Sequence, residues 1–482
     1  MLFNSFTFLV FLVIVVCLYF ALPYKLRNAM LLAASYVFYM AWNPKLIVLI
    51  VFSTFVNYAA SLKIYNSKSG KKTFLILSLI VNFGLLFVFK YMDFAAESFV
   101  RFIALFGLRY PEAHFDIILP MGISFYTFQA SAYTIDVYRE KIKPERNFFT
   151  FALFISFFPQ LVAGPIERSQ NLLPQFYEKH DFNFSRAADG IKIMLIGFFK
   201  KIVVADRIAV AVNTVYNSPS DYGGLCLFAA TFLFAFQIYC DFSGYSDIAQ
   251  GAAKILGFSL MDNFKKPYLS LSIREFWKRW HISLSTWFMD YVYIPLGGNR
   301  KGVARKRGNL FLTFLISGLW HGANWTFVVW GAIHGIYMVI GDILRPMFGK
   351  VKGKKSAVIK ILSVFITFTL TDFAWIFFRA NTISEGIYIA KTMFSDVRFW
   401  FGRQYFYEAL TSMGVGLFEV ALIAVSLFVL VVAEILSRKE SVFGFFEETN
   451  VFYQMVFYVI IFSLILTAGV YYDSGAFIYF QF

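Results

Sequence analysis

Two of the chain's five histidines stand where a proton could be moved away from bulk water. His281 closes the run Trp277-Lys278-Arg279-Trp280-His281, among basic and aromatic residues. His321 sits in Leu319-Trp320-His321-Gly322-Ala323-Asn324, at a polar break in an apolar run long enough to lie in a membrane. An imidazole titrates near 6.5 and accepts a proton at neutral pH, and a positioned general base contributes roughly 10²- to 10⁴-fold. A membrane-embedded histidine such as His321 could therefore deprotonate a hydroxyl attacking a thioester. A buried histidine is also often a satisfied core residue, and residue types alone leave both readings open. His334, in Gly331-Ala332-Ile333-His334-Gly335, reads as a packed, hydrogen-bonded core residue.

Other chemistries lack their motifs. There is no GxSxG, no HExxH and no cysteine nucleophile signature. The His-plus-Asp pairing of soluble glycerolipid acyltransferases is also missing, since Thr286 and Thr326 stand where its Asp would follow His281 and His321. Cys17, Cys226 and Cys240 lie in apolar surroundings without CxxC or Cys/His spacing, so buried thiols are expected and neither a disulfide framework nor a metal site is supported. The lysine-rich stretch Lys350 to Lys355 is not a phosphate-binding loop, because Gly349 and Gly353 enclose one residue too few.

The elements that must hold these histidines are set by composition. Hydrophobic residues make up 59% of the 482, charged residues 15%, and Phe alone contributes 63, too little polar surface for a soluble domain. The expectation is an all-α polytopic membrane protein, with about eleven apolar segments near the roughly 20 residues that a bilayer crossing needs. The formal charge of +15 in such a chain reports topology and anionic lipid before nucleic acid, which is not an expected partner. Lys25 and Arg27 follow the first span, and Lys63, Lys68, Lys71 and Lys72 follow the third. Those loops fit the cytoplasm and put the N-terminus outside. The first segment has no basic n-region or small-residue cleavage site and reads as a retained span.

At 100° per residue, Phe276, Trp277, Trp280, Leu284, Trp287 and Phe288 fall on one side of a helix, with His281 at the border. That predicts one in-plane amphipathic helix within the basic loop 262–307. Asn309 to Ile340 is too long for one span and predicts two helices broken at His321 to Asn324, with Gly318 and Gly322 allowing close approach. Met92 to Leu108 reads as a separate interfacial helix. In Ile117 to Val137 the series Ser124, Thr127, Gln129, Ser131, Thr134, Asp136 should face protein. Ile166-Glu167-Arg168 reads as a capping connection. Ala187 to Tyr216 is either a tilted span or an interfacial helix. Asp241 and Asp247, inside the long apolar run Gly223 to Leu256, must be paired, hydrated or near the interface; they are functional candidates, and a salt bridge to a lysine such as Lys200 is as good a reading.

Together, Trp277 to Trp287, Tyr293-Ile294-Pro295-Leu296-Gly297-Gly298-Asn299 and Gly318 to Trp325 resemble the signature of membrane-bound O-acyltransferases, and within them the bacterial members that serve alginate and peptidoglycan O-acetylation. Leu119 to Phe125, Gly164 to Arg168 and Cys240 to Asp247 extend the resemblance over nearly the whole chain. It implies a single transmembrane domain over 1–482, with in-plane helices around a buried tunnel. His321 matches the catalytic histidine and His281 a second active-site position. Trp277, Trp280, Ser285, Trp320, Asn324, Asp241 and Asp247 become substrate or tunnel candidates. It further implies a multi-pass protein of the bacterial cell membrane that takes acetyl from a cytoplasmic donor, acetyl-CoA, with no tightly bound cofactor. An extracytoplasmic transferase of the SGNH type is the implied partner, modifying the polysaccharide. The ending Phe477-Ile478-Tyr479-Phe480-Gln481-Phe482 resembles that of alginate-type members. It suggests the Tyr479 hydroxyl as a transient acyl acceptor, against the alternative of an aromatic interface anchor. Two other functions stay in view, D-alanyl transfer to teichoic acid and a non-catalytic polysaccharide or lipid transporter.

Overall fold

The structure is a computed structural model and describes residues 1–108, 110–111, 115, 117–162, 164–348, 356–436, 450–471 and 477–478. Tyr479 and the lysine-rich stretch 350–355 lie outside the described residues. Among the described residues every regular element is a helix, the one open form of backbone that satisfies its own N–H and C=O groups in lipid.

Among the described residues seven helices are long and apolar enough to cross a membrane: Pro44–Asn66, Lys71–Ala104, Gly224–Leu256, Trp325–Arg345, Ala357–Arg379, Leu417–Ile435 and Val451–Ala468. Against the about eleven segments expected, Phe6–Ala21, Tyr24–Met40 and Ile123–Tyr138 are shorter, at 16, 17 and 16 residues. The interfacial helix expected from Met92 is instead the end of a 34-residue helical run, Lys71–Ala104, continued through a π turn at Phe87–Tyr91. Neither Gly nor Pro stands at that junction to break it. Cys17 differs from expectation in being exposed, whereas Cys226 and Cys240 are buried.

The chain divides into two compact units, Met1–Ile191 with Ala249–Met261, and Lys192–Ile248 with Asp262–Phe482. In the first, helices Ile47–Asn66, Lys71–Leu86 and Ile123–Tyr138 close on a buried polar knot. Ser53 Oγ and Asn57 Nδ2 both donate to Asn82 Oδ1, at 2.7 and 3.0 Å, and the Ser78 and Thr134 hydroxyls donate to Asn57 Oδ1 at 2.9 and 2.8 Å. The polar series Ser124, Thr127, Gln129, Ser131, Thr134 and Asp136 is buried, as lipid requires. Glu167 is also buried, accepting the Met261 N–H at 2.5 Å and the Asn171 amide at 2.7 Å. Burial pushes its carboxyl up to about 7.

In the second unit, the helix reaching Phe198 runs on through a π segment, Phe199–Ala205, into Asp206–Asn217. Glycines decide what it touches. A Cβ on Gly197 would lie 2.6 Å from the Gly244 carbonyl oxygen, so no larger residue allows this approach. The same closeness brings Lys200 to Asp247 and Lys201 to Asp241, each at 2.7 Å. Gly302–His321 and Trp325–Phe348 form a helical hairpin, again closed by glycine: a Cβ on Gly331 would lie 2.5 Å from the Phe314 carbonyl oxygen.

Candidate functional site

The basic aromatic segment is not one helix. Ile273–Arg279 is capped at its start by Ser272, whose Oγ accepts the Glu275 N–H at 3.2 Å, and a second helix runs Ile282–Phe288. Between them His281 takes φ +42°, a left-handed conformation that costs a non-glycine residue of order 1–3 kcal/mol. Asn263 compensates by holding the orphaned start of the second helix. Its carbonyl accepts the Ile282 N–H at 3.0 Å, and its Oδ1 accepts the Ser283 N–H and hydroxyl at 3.4 and 2.7 Å. Helical periodicity could not show this break, because Asn263 is 18 residues upstream of His281. Its consequence is that His281 leaves the border of the apolar face and becomes fully buried.

Burial pushes the His281 imidazole down to about 3, so it stays neutral. Its ring stands edge-on to Phe242 at 4.6 Å and 6.3 Å from Trp320. Trp320 is in turn 5.1 Å from His321, whose imidazole is walled edge-on by Trp330 at 4.9 Å and Phe378 at 5.4 Å. One tryptophan therefore stands between the two histidines. His321 is the last residue of its helix and is 3% exposed.

A cavity of about 470 Å³ opens beside this cluster. Its rim carries Arg274, Lys278, Lys306 and Arg345, and its wall is mostly apolar, with Ile282, Leu284, Phe288, Phe314 and Met338 among the lining residues. Asp342 ties part of the rim together, bonding Arg274 at 3.4 Å, Arg307 at 3.3 Å and also Lys306. Lys278 and Arg345 have no carboxylate partner among the described residues. On the Gly302–His321 helix the lining climbs through Lys306, Leu310, Thr313, Phe314 and Ser317. The next positions on that stripe are Trp320 and His321, and His321 stands about 6 Å, four helical residues, beyond Ser317. Lys306 and Arg345 thus lie at the opposite end of the hairpin from His321.

The residues singled out from sequence part company here. Trp277 and Ser285 line the cavity, and Trp277 Nε1 also donates to His334 Nδ1 at 3.2 Å. Trp280 does not; it packs on Phe276, Phe264 and Trp375 at 5.4, 5.1 and 5.1 Å. Asn324 accepts the Thr326 N–H at 3.0 Å and donates to the Asn381 carbonyl at 2.9 Å, tying the hairpin's closed end to the next turn. Asp247 pairs with Lys200, and Asp241 with Lys201. Sequence reasoning missed Asp342 and the Thr313 to Ser317 wall. The i, i+3, i+4 spacing of Lys306, Leu310, Thr313, Phe314 and Ser317 held that signal.

The pattern of the MBOAT, membrane-bound O-acyltransferase family matches residues 31–378. The chain is 40% identical over 402 residues to a protein of Pseudomonas putida named "Probable alginate O-acetylase AlgI", covering 81% of this chain and 79% of that one. It is 38% identical over 394 residues to the peptidoglycan O-acetyltransferase of Helicobacter pylori, covering 75% and 73%. The teichoic acid D-alanyltransferase of Bacillus subtilis is 30% identical over 295 residues, covering 57% of this chain and 73% of its own. With helices as the regular elements of its described residues and a cavity lined by cations and apolar side chains, this chain belongs to the membrane-bound O-acyltransferase family.

Proposed function

We propose that this O-acyltransferase takes an acetyl group from acetyl-CoA at the cytoplasmic face of a bacterial cell membrane and passes it across for O-acetylation of an extracytoplasmic polysaccharide. The observation that carries this reading is the polarity of the cavity. Four cations and a mostly apolar wall line it, and along the Gly302–His321 helix the lining runs from Lys306 to Ser317, one turn short of His321. Phosphates suit the rim, a pantetheine arm and its thioester suit the apolar wall, and the positive-inside rule assigns the basic end to the cytoplasm.

His321 is the base in this reading. It takes the proton of the acceptor hydroxyl as the oxygen attacks the thioester carbonyl, and the proton then passes to the departing thiolate. Neutral His281, on the other side of Trp320, is suited to donate a hydrogen bond to the developing oxyanion. The relatives named for alginate and peptidoglycan acetylation favour acetyl over D-alanyl transfer, and a separate SGNH-type partner completes the modification of the polymer. The Tyr479 hydroxyl is a candidate relay in that passage, tested by Tyr479→Phe. The reading as a whole is tested with purified protein in vesicles: acetyl-CoA consumption lost in His321→Ala, with the helical spectrum intact, supports it. Consumption unchanged in that variant, or a requirement for an acylated carrier protein in place of acetyl-CoA, overturns it.

A further inference from the structure

A second cavity, of about 560 Å³, shares Arg274 and Lys278 with the first and adds Lys265, Ser272, Glu275 and Arg279. Every one of these lining residues is polar or charged. The helix Ile273–Arg279 sets the division between the two cavities. Arg274 and Lys278 stand one turn apart on one stripe, and Glu275 and Arg279 follow them about 100° further round. The first stripe lines both cavities, and the second lines only the polar one. Lys265 joins this second stripe because its N–H donates to the Arg279 carbonyl at 2.9 Å, which holds the upstream segment against the end of the helix.

Four cations line the polar cavity against one carboxylate. That carboxylate, Glu275, is engaged within its own helix turn, bonding Arg279 at 2.6 Å and accepting the Leu271 N–H at 2.9 Å. Arg279 keeps N–H donors to spare, because a guanidinium carries more of them than one carboxylate can accept. Cations with free donors and no apolar wall suit phosphate groups and do not suit an acyl chain. Coenzyme A carries a 3′-phosphorylated adenosine at one end, a diphosphate in the middle and then the pantetheine arm that ends at the thioester. The two cavities repeat that order, with polar and cationic walls first, shared cations between, and the mostly apolar wall last.

We propose that the polar cavity takes the 3′-phosphoadenosine end of the donor, with the diphosphate on the shared Arg274 and Lys278 and the 3′-phosphate on Arg279 and Lys265. These last two residues then distinguish coenzyme A from its dephosphorylated form. The inference rests on the reading of acetyl-CoA as the donor. A phosphopantetheine arm on a carrier protein has no 3′-phosphate and gains nothing from Arg279 by this route.

The test gives the full chain, in phosphatidylcholine vesicles, acetyl-CoA and acetyl-dephospho-CoA, which differ only in the 3′-phosphate. The parent should show a KM about 10-fold higher for the dephospho compound. Arg279→Gln and Lys265→Gln should each raise KM for acetyl-CoA about 5- to 30-fold and leave KM for acetyl-dephospho-CoA unchanged. Arg305→Gln, at a cation that lines neither cavity, should alter neither value. Adenosine 3′,5′-bisphosphate, which carries this end of the donor and no thioester, should compete with acetyl-CoA in the parent and lose that competition in Arg279→Gln. A parent that uses both thioesters equally well overturns the inference and leaves the donor reading standing, as do variants that raise both KM values alike. A gap between the two thioesters that closes when phosphatidylglycerol is added assigns the cavity to a lipid headgroup and also overturns it. A parent that consumes neither thioester overturns the donor reading and the inference with it.

Discussion

Trp277 lends its indole N–H to His334 Nδ1 at 3.2 Å and also lines the cavity, so one side chain joins the core of the hairpin to that cavity. The bond leaves the second proton-bearing position of a neutral imidazole at Nε2. Trp277→Phe should cost about 1–2 kcal/mol of stability, from the lost bond and the unpaired acceptor. It should also raise KM for the donor. Thermal unfolding in detergent and steady-state kinetics check the two effects separately.

His281 combines a left-handed backbone with complete burial, and variants can separate the two. His281→Asn keeps a side chain that tolerates φ > 0 but loses the imidazole. It should remain folded and lose roughly 10²-fold in kcat, the scale of one oxyanion donor. Equal losses of stability and activity would instead assign His281 a packing role.

Lys278 and Arg345 are the rim cations not engaged by Asp342. Neutralising either, as Lys278→Gln or Arg345→Gln, should raise KM for acetyl-CoA about 5- to 30-fold, the equivalent of about 1–2 kcal/mol in a charged hydrogen bond. The acetyl thioester of N-acetylcysteamine, which has no phosphate, should be used equally well by both variants and the parent.

Gly331→Ala places a methyl 2.5 Å from the Phe314 carbonyl and 3.1 Å from the Gly318 Cα, backbone atoms that cannot swing aside. The hairpin must open, at a cost of about 1–3 kcal/mol. Because His321 closes that hairpin, activity should fall with stability. Gly341→Ala, on the same helix with nothing within 4 Å, is the neutral control.

Glu167 sets a pH dependence in the first unit. Its folded carboxyl titrates at about 7, above the ordinary value of 4.5. The folded state therefore holds a proton that the unfolded state has lost, and stability falls as pH rises from 4.5 through 7. Glu167→Gln should flatten that slope in melting curves recorded between pH 5 and 8.

The sequence by itself determined the membrane class, the break of Asn309 to Ile340 at His321, and the family, because these depend on local composition, period and contiguous motifs. The inward-facing polar series in Ile123–Tyr138 was legible for the same reason, since lipid leaves polar side chains only one direction to face. Tertiary structure decided the rest. The helix expected through His281 is broken by Asn263, the opposite charges of Lys200, Lys201, Asp241 and Asp247 meet only because Gly197 and Gly244 let two helices touch, and the cavity exists only where three separate segments converge. Each of these depends on contacts between residues distant in the chain, whose energy is set by what another helix brings, and no periodicity within one segment carries that information.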